Sequence, residues 1–212
     1  MKTELVIFDC DGVLVDSELV CNSTLVEFVS EFGLSLDLKE ALVLFKGCKM
    51  ADCVSLIEQR LGQPLPSDFV AQLRSRIASA YEQDLKPITG IKGVLESLDL
   101  PICVASNGPV HMITLALQVT DLLPYFQGHI FSSYQVNQWK PEPHLFLHAA
   151  SIMGVLPSEC AVVEDSVLGV RAGVAAGMRV FGYAEHSEAK QLESCGAHVF
   201  NSMYQLPSLL MS

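Results

Sequence analysis

The chain has 212 residues, half of them hydrophobic and 17% charged, which suits one domain with a large core, or one domain carrying a smaller insert. Thirteen basic against 24 acidic residues give a net charge of −11 with no basic stripe, which excludes a groove-tracking nucleic-acid partner but leaves room for a small anionic ligand. No apolar run approaches the roughly 18 residues of a membrane helix, no signal-peptide pattern opens the chain, and seven cysteines without a CxxC pair read as reduced thiols, so the expectation is a cytoplasmic protein without membrane partner, a monomer or weak homodimer.

Leu5–Phe8 is the first of six short apolar runs, the others being 102–105, 129–131, 161–163, 180–183 and 198–200. Near-continuous hydrophobicity over so few residues is how strands buried on both faces of a parallel sheet read. The first run ends on Asp9 and Asp11, with Gly12 directly after. A core strand gains nothing from two carboxylates at its tip, and like charges that close raise each other's cost. Gly12 lets the chain turn away tightly at that point.

The segment that follows carries no strand signal. Residues 18–32 place Leu25, Phe28, Val29 and Phe32 at helical spacing, with Gly33 as a C-terminal stop. Residues 37–46, 50–61 and 68–85 give three further helices, punctuated by Gly47 and Gly62. Residues 17–86 are therefore expected to form a helical cap over the strand ends, on tethers at 15–17 and 86–90. Residues 1–16 and 87–212 are expected to form an α/β catalytic core. In that second half helices (145–153 and 167–176) alternate with strands, which predicts βα units and a Rossmann-like open parallel sheet. Gly169, Gly173 and Gly177, spaced by four, read as a small-residue stripe letting one helix pack close to the sheet. His144 and His148 have the spacing of a helical metal pair, but the apolar residues between them suggest an ordinary packed helix. Trp139 reads as packing that positions the neighbouring Lys140.

Ligands of open α/β sheets bind outside the carboxyl ends of the strands. Those ends carry Asp9 and Asp11, Ser106 and Asn107 in "VASNG", and Glu164 and Asp165 in "AVVEDS". Lys140, in "QWKPEP", is expected to open the helix before the fourth strand. Four converging acids cannot all be ionised without a counter-charge, and oxygen ligands without clustered His or Cys indicate a hard divalent ion, Mg²⁺. The metal ligands are expected to be Asp9, Asp11, Asp165 and Glu164, with Ser106, Asn107 and Lys140 binding a phosphoryl group. An ionised aspartate can attack phosphorus and form an aspartyl phosphate, while a protonated neighbour serves the leaving alcohol. Asp9, which ends the strand, is assigned as nucleophile and Asp11 as acid/base.

"DCDGVLVDSE", "VASNG", "KPEP" and "VVEDS" resemble, in order, the four motifs of the haloacid dehalogenase-like hydrolase superfamily. The helical insert between the first two is similar to the cap of its β-phosphoglucomutase-like branch. The resemblance implies that Asp9 is nucleophile and metal ligand, and that Asp11 is acid/base with its backbone carbonyl on the metal. It also implies that Asp165 lies on Mg²⁺ with Glu164 beside it. The second aspartate of the first motif, Asp11, argues for phosphoryl transfer over dehalogenation. Cys21 stands where the branch's phosphomutases carry a histidine, which favours a phosphatase over a mutase. "SNGP" and "WKPEPHLFLHAA" resemble segments of bacterial 6-phosphogluconate phosphatases, so the expected substrate is a small sugar phosphate or sugar-acid phosphate. "FKGCKM", with Lys46, Gly47 and Lys49, resembles the cap loop that reaches the active site, and its lysines could pair with a second anionic group on the substrate. A non-enzymatic phosphoacceptor or regulatory domain is the alternative from another class, but a phosphoacceptor needs no cap.

Overall fold

The computed structural model describes residues 2–45, 48–126, 128–185 and 187–211. Six strands, β1 (Leu5–Phe8), β2 (Ile102–Ser106), β3 (Ile130–Ser132), β4 (Cys160–Glu164), β5 (Arg179–Tyr183) and β6 (His198–Phe200), form one sheet. All neighbours are parallel, in the order β3-β2-β1-β4-β5-β6. From β1 the chain builds outward first one way and then the other, so the crevice beside β1 is the topological switch point.

The helices are α1 (Glu18–Ser30), α2 (Leu38–Leu44), α3 (Met50–Leu61), α4 (Phe69–Asp84), α5 (Ile91–Ser97), α6 (Val110–Val119), α7 (Ser133–Val136), α8 (His144–Met153), α9 (Val167–Ala175), α10 (Ala189–Ser194) and α11 (Leu206–Leu210). The alternation of side chains along β1 explains the two-sided cover. Val6 and Phe8 face a core continuous with the helical insert, whereas Leu5 and Ile7 face a second core beneath α8 and α9.

The predicted runs find the strands, with shifted ends. β2 and β4 each continue into polar residues, because the ladder pairs Ser106 with Ser132 and Glu164 with Gly182. Ser106 and Glu164 are therefore rigid strand residues rather than loop residues. β3 starts at Ile130, one residue later than its apolar run. Lys140 does not open a helix. It stands in a turn, and α8 begins only at His144.

Between β1 and β2 lie α1 to α4. α4 buries Phe69, Leu73, Ile77 and Tyr81, one residue per turn, against α1. Phe28 stacks on Phe69 at 4.9 Å between centroids, and Phe32 meets Phe69 edge-on. The two connections to the sheet run side by side: Asp16 N donates to Lys86 O at 2.9 Å and Ile88 N to Leu14 O at 2.9 Å. Gly62 ends α3 in the left-handed conformation, as its position suggested. Gly47 lies outside the described residues.

The cysteines are all unpaired, with Cys10, Cys103 and Cys160 buried. No helix among the described residues is long and apolar enough to cross a membrane.

Candidate active site

The strand ends meet where the switch point predicts. Asp9 follows β1 and is 8% exposed, and Asp165 follows β4 and is 6% exposed. Carboxylate oxygens of Asp9, Glu164 and Asp165 lie within 4.8 Å of one another. Lys140 Nζ sits among them, 2.7 Å from Asp9 Oδ1, 2.6 Å from Glu164 Oε1 and 2.9 Å from Ala105 O. Its three donors are thus fully used, and the Phe146 ring lies 5.0 Å beneath the ammonium.

Glu164 is wholly buried and fully occupied. While Oε1 takes Lys140, Oε2 accepts from Asp165 N, Ser166 N and Ser166 Oγ. Two glycines make this approach possible. A Cβ on Gly169 would lie 1.8 Å from Glu164 Oε1, and one on Gly12, whose φ is +77°, would lie 2.5 Å from Asp165 Oδ2. The stripe on α9 therefore has specific content: Gly169 admits a carboxylate and Gly173 admits the Val180 side chain.

Asn107 Oδ1 accepts from the Lys140 backbone N–H at 3.1 Å and from Ser133 Oγ at 2.7 Å. An N–H can only donate, so that atom is the amide oxygen, and the –NH₂ group is left for the cavity. Ser106 Oγ accepts from Gly108 N at 3.1 Å, which leaves its own hydrogen to donate.

Asp11 differs from its neighbour. Its carboxylate is absent from the cluster of Asp9, Glu164 and Asp165. Ser17 Oγ donates to Asp11 Oδ1 at 2.5 Å, a bond that diverts this serine from capping α1. The Tyr81 hydroxyl, from α4, meets Cys21 Sγ at 3.0 Å and favours the ionised form of the Asp11 carboxyl.

Burial sets the electrostatics. It pushes Asp9 well above the ordinary carboxylate range, Lys140 pulls the other way, and Glu164 and Asp11 add to the rise. Asp11 is raised by burial too, opposed by the Ser17 hydrogen bond and by Lys140. Burial alone would lower Lys140, but the Asp9 and Glu164 carboxylates outweigh it and hold the ammonium charged. Among the described residues, the Lys140 ammonium is paired with Asp9 and Glu164, and Asp165 lies in the same cluster. The donor set, oxygens only and net anionic, fits a hard divalent cation.

These groups form the floor of a cavity of about 260 Å³ roofed by the helical insert, with Arg74 and Tyr81 of α4 above and Tyr134 of α7 at the side. A wider hollow of about 620 Å³ beyond Asp165 is lined, among the described residues, by acids such as Asp16, Glu18 and Glu188 and by apolar and uncharged polar groups. Lys49 lines the smaller cavity but lies 3.6 Å from Asp52. Lys46 and Gly47 lie outside the described residues. His148 packs edge-on to Phe131 and takes no part in the acid cluster. Trp139 packs edge-on against Tyr134.

Sequence reasoning missed Ser17, Arg74, Tyr81, Ser133 and Tyr134. One signal was available for α7: Ser132 followed three residues later by Gln135 is a capping box, and it forms here. That single turn carries Ser133 to Asn107 and Tyr134 to the cavity.

Carboxyl, ammonium and hydroxyl groups gathered at the switch point of a parallel sheet, beside the helical insert, mark an enzyme of the open parallel α/β class with a site suited to an anion and a hard cation. Comparison with known proteins narrows this. The chain belongs to the haloacid dehalogenase-like hydrolase family, whose sequence profile matches residues 3–177, and it is a phosphatase of that family. It is 35% identical over 209 residues to the 6-phosphogluconate phosphatase of Escherichia coli (strain K12), covering 98% of this chain and 95% of the relative. Among solved structures, it resembles a conserved haloacid dehalogenase-like protein from Agrobacterium tumefaciens str. C58 at 35% identity. There the TM-score is 0.85, with 98% of this chain and 97% of the other covered. A putative β-phosphoglucomutase from Thermotoga maritima matches at 25% identity and TM-score 0.79, covering 98% of each chain.

Proposed function

We propose that this chain is a Mg²⁺-dependent phosphatase that removes the phosphoryl group of a small sugar phosphate or sugar-acid phosphate through an aspartyl phosphate on Asp9. In this reading residues 17–86 act as the cap over a core formed by 1–16 and 87–212. The observation that carries it is Asp9, held by Lys140 at 2.7 Å on the floor of a roofed cavity, with Asp11 aimed apart from it.

Asp9, the Asp11 backbone carbonyl and Asp165 would hold the cation. Bound there, it supplies positive charge that offsets the clustered acids and withdraws electrons from the phosphoryl group. Glu164 has both oxygens engaged and acts through Lys140. A carboxylate oxygen of Asp9 attacks phosphorus, and the bond from phosphorus to the substrate oxygen breaks. Asp11, whose carboxyl burial raises above its ordinary value, gives a proton to that leaving oxygen. The Asp11 carboxylate then takes a proton from water as the water oxygen attacks phosphorus. The bond from phosphorus to Asp9 breaks, which frees inorganic phosphate and restores both aspartates. Ser106 Oγ and the Asn107 –NH₂ donate to the phosphoryl oxygens throughout.

Cys21 supports hydrolysis over a mutase. Burial pushes its thiol up to about 12, so it does not serve as a base near neutral pH. The test is phosphate release from a panel of sugar phosphates and sugar-acid phosphates, 6-phosphogluconate included. Turnover should require Mg²⁺, stop with EDTA and vanish in Asp9→Asn. Undiminished turnover in EDTA, or by Asp9→Asn, would overturn the reading.

A further inference from the structure

Arg74 is a cation that the chemistry above does not use. It stands on α4 beside the buried Leu73, half-buried, and lines the same cavity as Asp9 and Lys140. Its Nη2 donates to Tyr134 Oη at 2.6 Å, and its guanidinium lies 5.5 Å from the centre of that ring. No carboxylate among the described residues pairs with it. The contrast with Arg76, two residues on, is informative. Arg76 makes two bonds to Glu31, at 2.5 and 3.0 Å, and covers the Phe28 ring.

The cavity's other described cations are committed. Lys140 is bound between Asp9 and Glu164, and Lys49 leans toward Asp52. In a chain with 24 acids, a half-buried guanidinium left without a counter-charge over a cavity marks a place for an anion. A planar fork of donors suits a carboxylate or a phosphate in bidentate geometry. Tyr134, itself packed edge-on against Trp139 at 5.4 Å, holds the fork at the cavity side while accepting only one of its hydrogens. The reacting phosphoryl group belongs against Asp9, and Arg74, from the helical insert, lines the same cavity. A substrate spanning the cavity therefore presents its far end to Arg74.

We propose that Arg74 binds a second anionic group at the end of the substrate remote from the reacting phosphate, with Tyr134 as a positioning residue. This rests on the phosphatase reading and sets its substrate class: doubly anionic metabolites, a sugar-acid phosphate or a sugar bisphosphate.

Efficiency (kcat/KM) would be measured on 6-phosphogluconate, glucose 1,6-bisphosphate and glucose 6-phosphate for wild type, Arg74→Met, Arg74→Lys and Tyr134→Phe. Losing one charge-assisted pair should lower the ratio of doubly to singly anionic substrate by about ten- to a hundredfold in Arg74→Met. Arg74→Lys should recover part of it, and Tyr134→Phe, which removes the hydroxyl that orients the fork, should lose part of the preference while leaving glucose 6-phosphate turnover unchanged. Whichever of the sugar acid and the bisphosphate suffers more identifies the second anion as carboxylate or phosphate. If Arg74→Met and Tyr134→Phe both depress all three substrates in parallel, the pair merely latches the helices and the proposal falls. A binding measurement separates this from failure of the phosphatase reading. On an Asp9→Asn background, adding Arg74→Met should weaken the calorimetric Kd for 6-phosphogluconate by the same factor. An unchanged Kd overturns the role of Arg74 even in an active phosphatase. No turnover of any ester by the wild type overturns the phosphatase reading instead.

Discussion

Glu164 accepts from four donors on two oxygens and exposes no surface. Glu164→Gln keeps the shape but brings an –NH₂ group against either Lys140 or the Asp165 and Ser166 N–H groups. Breaking a buried ion pair from one side costs about 3–5 kcal/mol. Urea unfolding of Glu164→Gln should show a loss of that size, and a loss below about 1 kcal/mol would refute the role assigned to the carboxylate. Asp11 makes a different prediction. General acid help is worth about 10²–10⁴-fold, and it matters least when the leaving group is a stable anion. Asp11→Asn should therefore lose far more on an alkyl phosphate than on an aryl phosphate. Equal losses on both would mean that Asp11 holds the site together instead of moving a proton.

At the scale of the element, α9 shows a local preference overridden by its neighbour. Helix propensity alone predicts that Gly169→Ala and Gly173→Ala each stabilise by about 1 kcal/mol. The packing predicts the reverse for both, with different consequences. A Cβ at 169 would meet Glu164 Oε1 at 1.8 Å and must displace the carboxylate that holds Lys140. A Cβ at 173 meets Val180 Cγ2 at 2.7 Å, far from the reacting groups. Gly169→Ala should lose both thermal stability and nearly all kcat, whereas Gly173→Ala should lose stability while the folded fraction keeps its kcat. Melting curves beside kcat on correctly folded protein distinguish the two, and an active Gly169→Ala would contradict the geometry.

The whole molecule carries its charge imbalance into its stability. Asp9 and Asp11 are raised above their ordinary values by burial, so in the carboxylate range and above the metal-free native state holds more protons than the unfolded chain. Stability then falls as pH rises from the ordinary carboxylate value through the raised native ones. Lys140, also raised, has the opposite sense. Its contribution is complete below the unfolded lysine value of about 10.4 and is lost only as pH climbs through its native value, outside this window. In EDTA the melting temperature should decline as pH rises above the ordinary aspartate value of about 3.9. Saturating Mg²⁺ should raise it and flatten the slope, because a bound cation favours the ionised carboxylates. The same slope with and without Mg²⁺ would argue against a cation among these acids.

What the sequence determined by itself is whatever depends on near neighbours along the chain. Four-residue apolar runs identify buried parallel strands, and the polar residues next to them must then emerge at one edge of the sheet. That places Asp9, Ser106, Asn107, Glu164 and Asp165 together. The long strandless interval with helical periodicity marks the insert. Lys140 was legible as a member of the site but not as part of a turn, since no periodicity describes an irregular segment. Only the tertiary structure decided which carboxylate faces Lys140, which faces Ser17 and Tyr81, and why Gly12 and Gly169 stand where they do. It alone brought Arg74 of α4 to Tyr134 of α7 across the cavity, 60 residues away. Contacts of that kind depend on the packing of whole elements against one another, and a local pattern of residues carries no record of it.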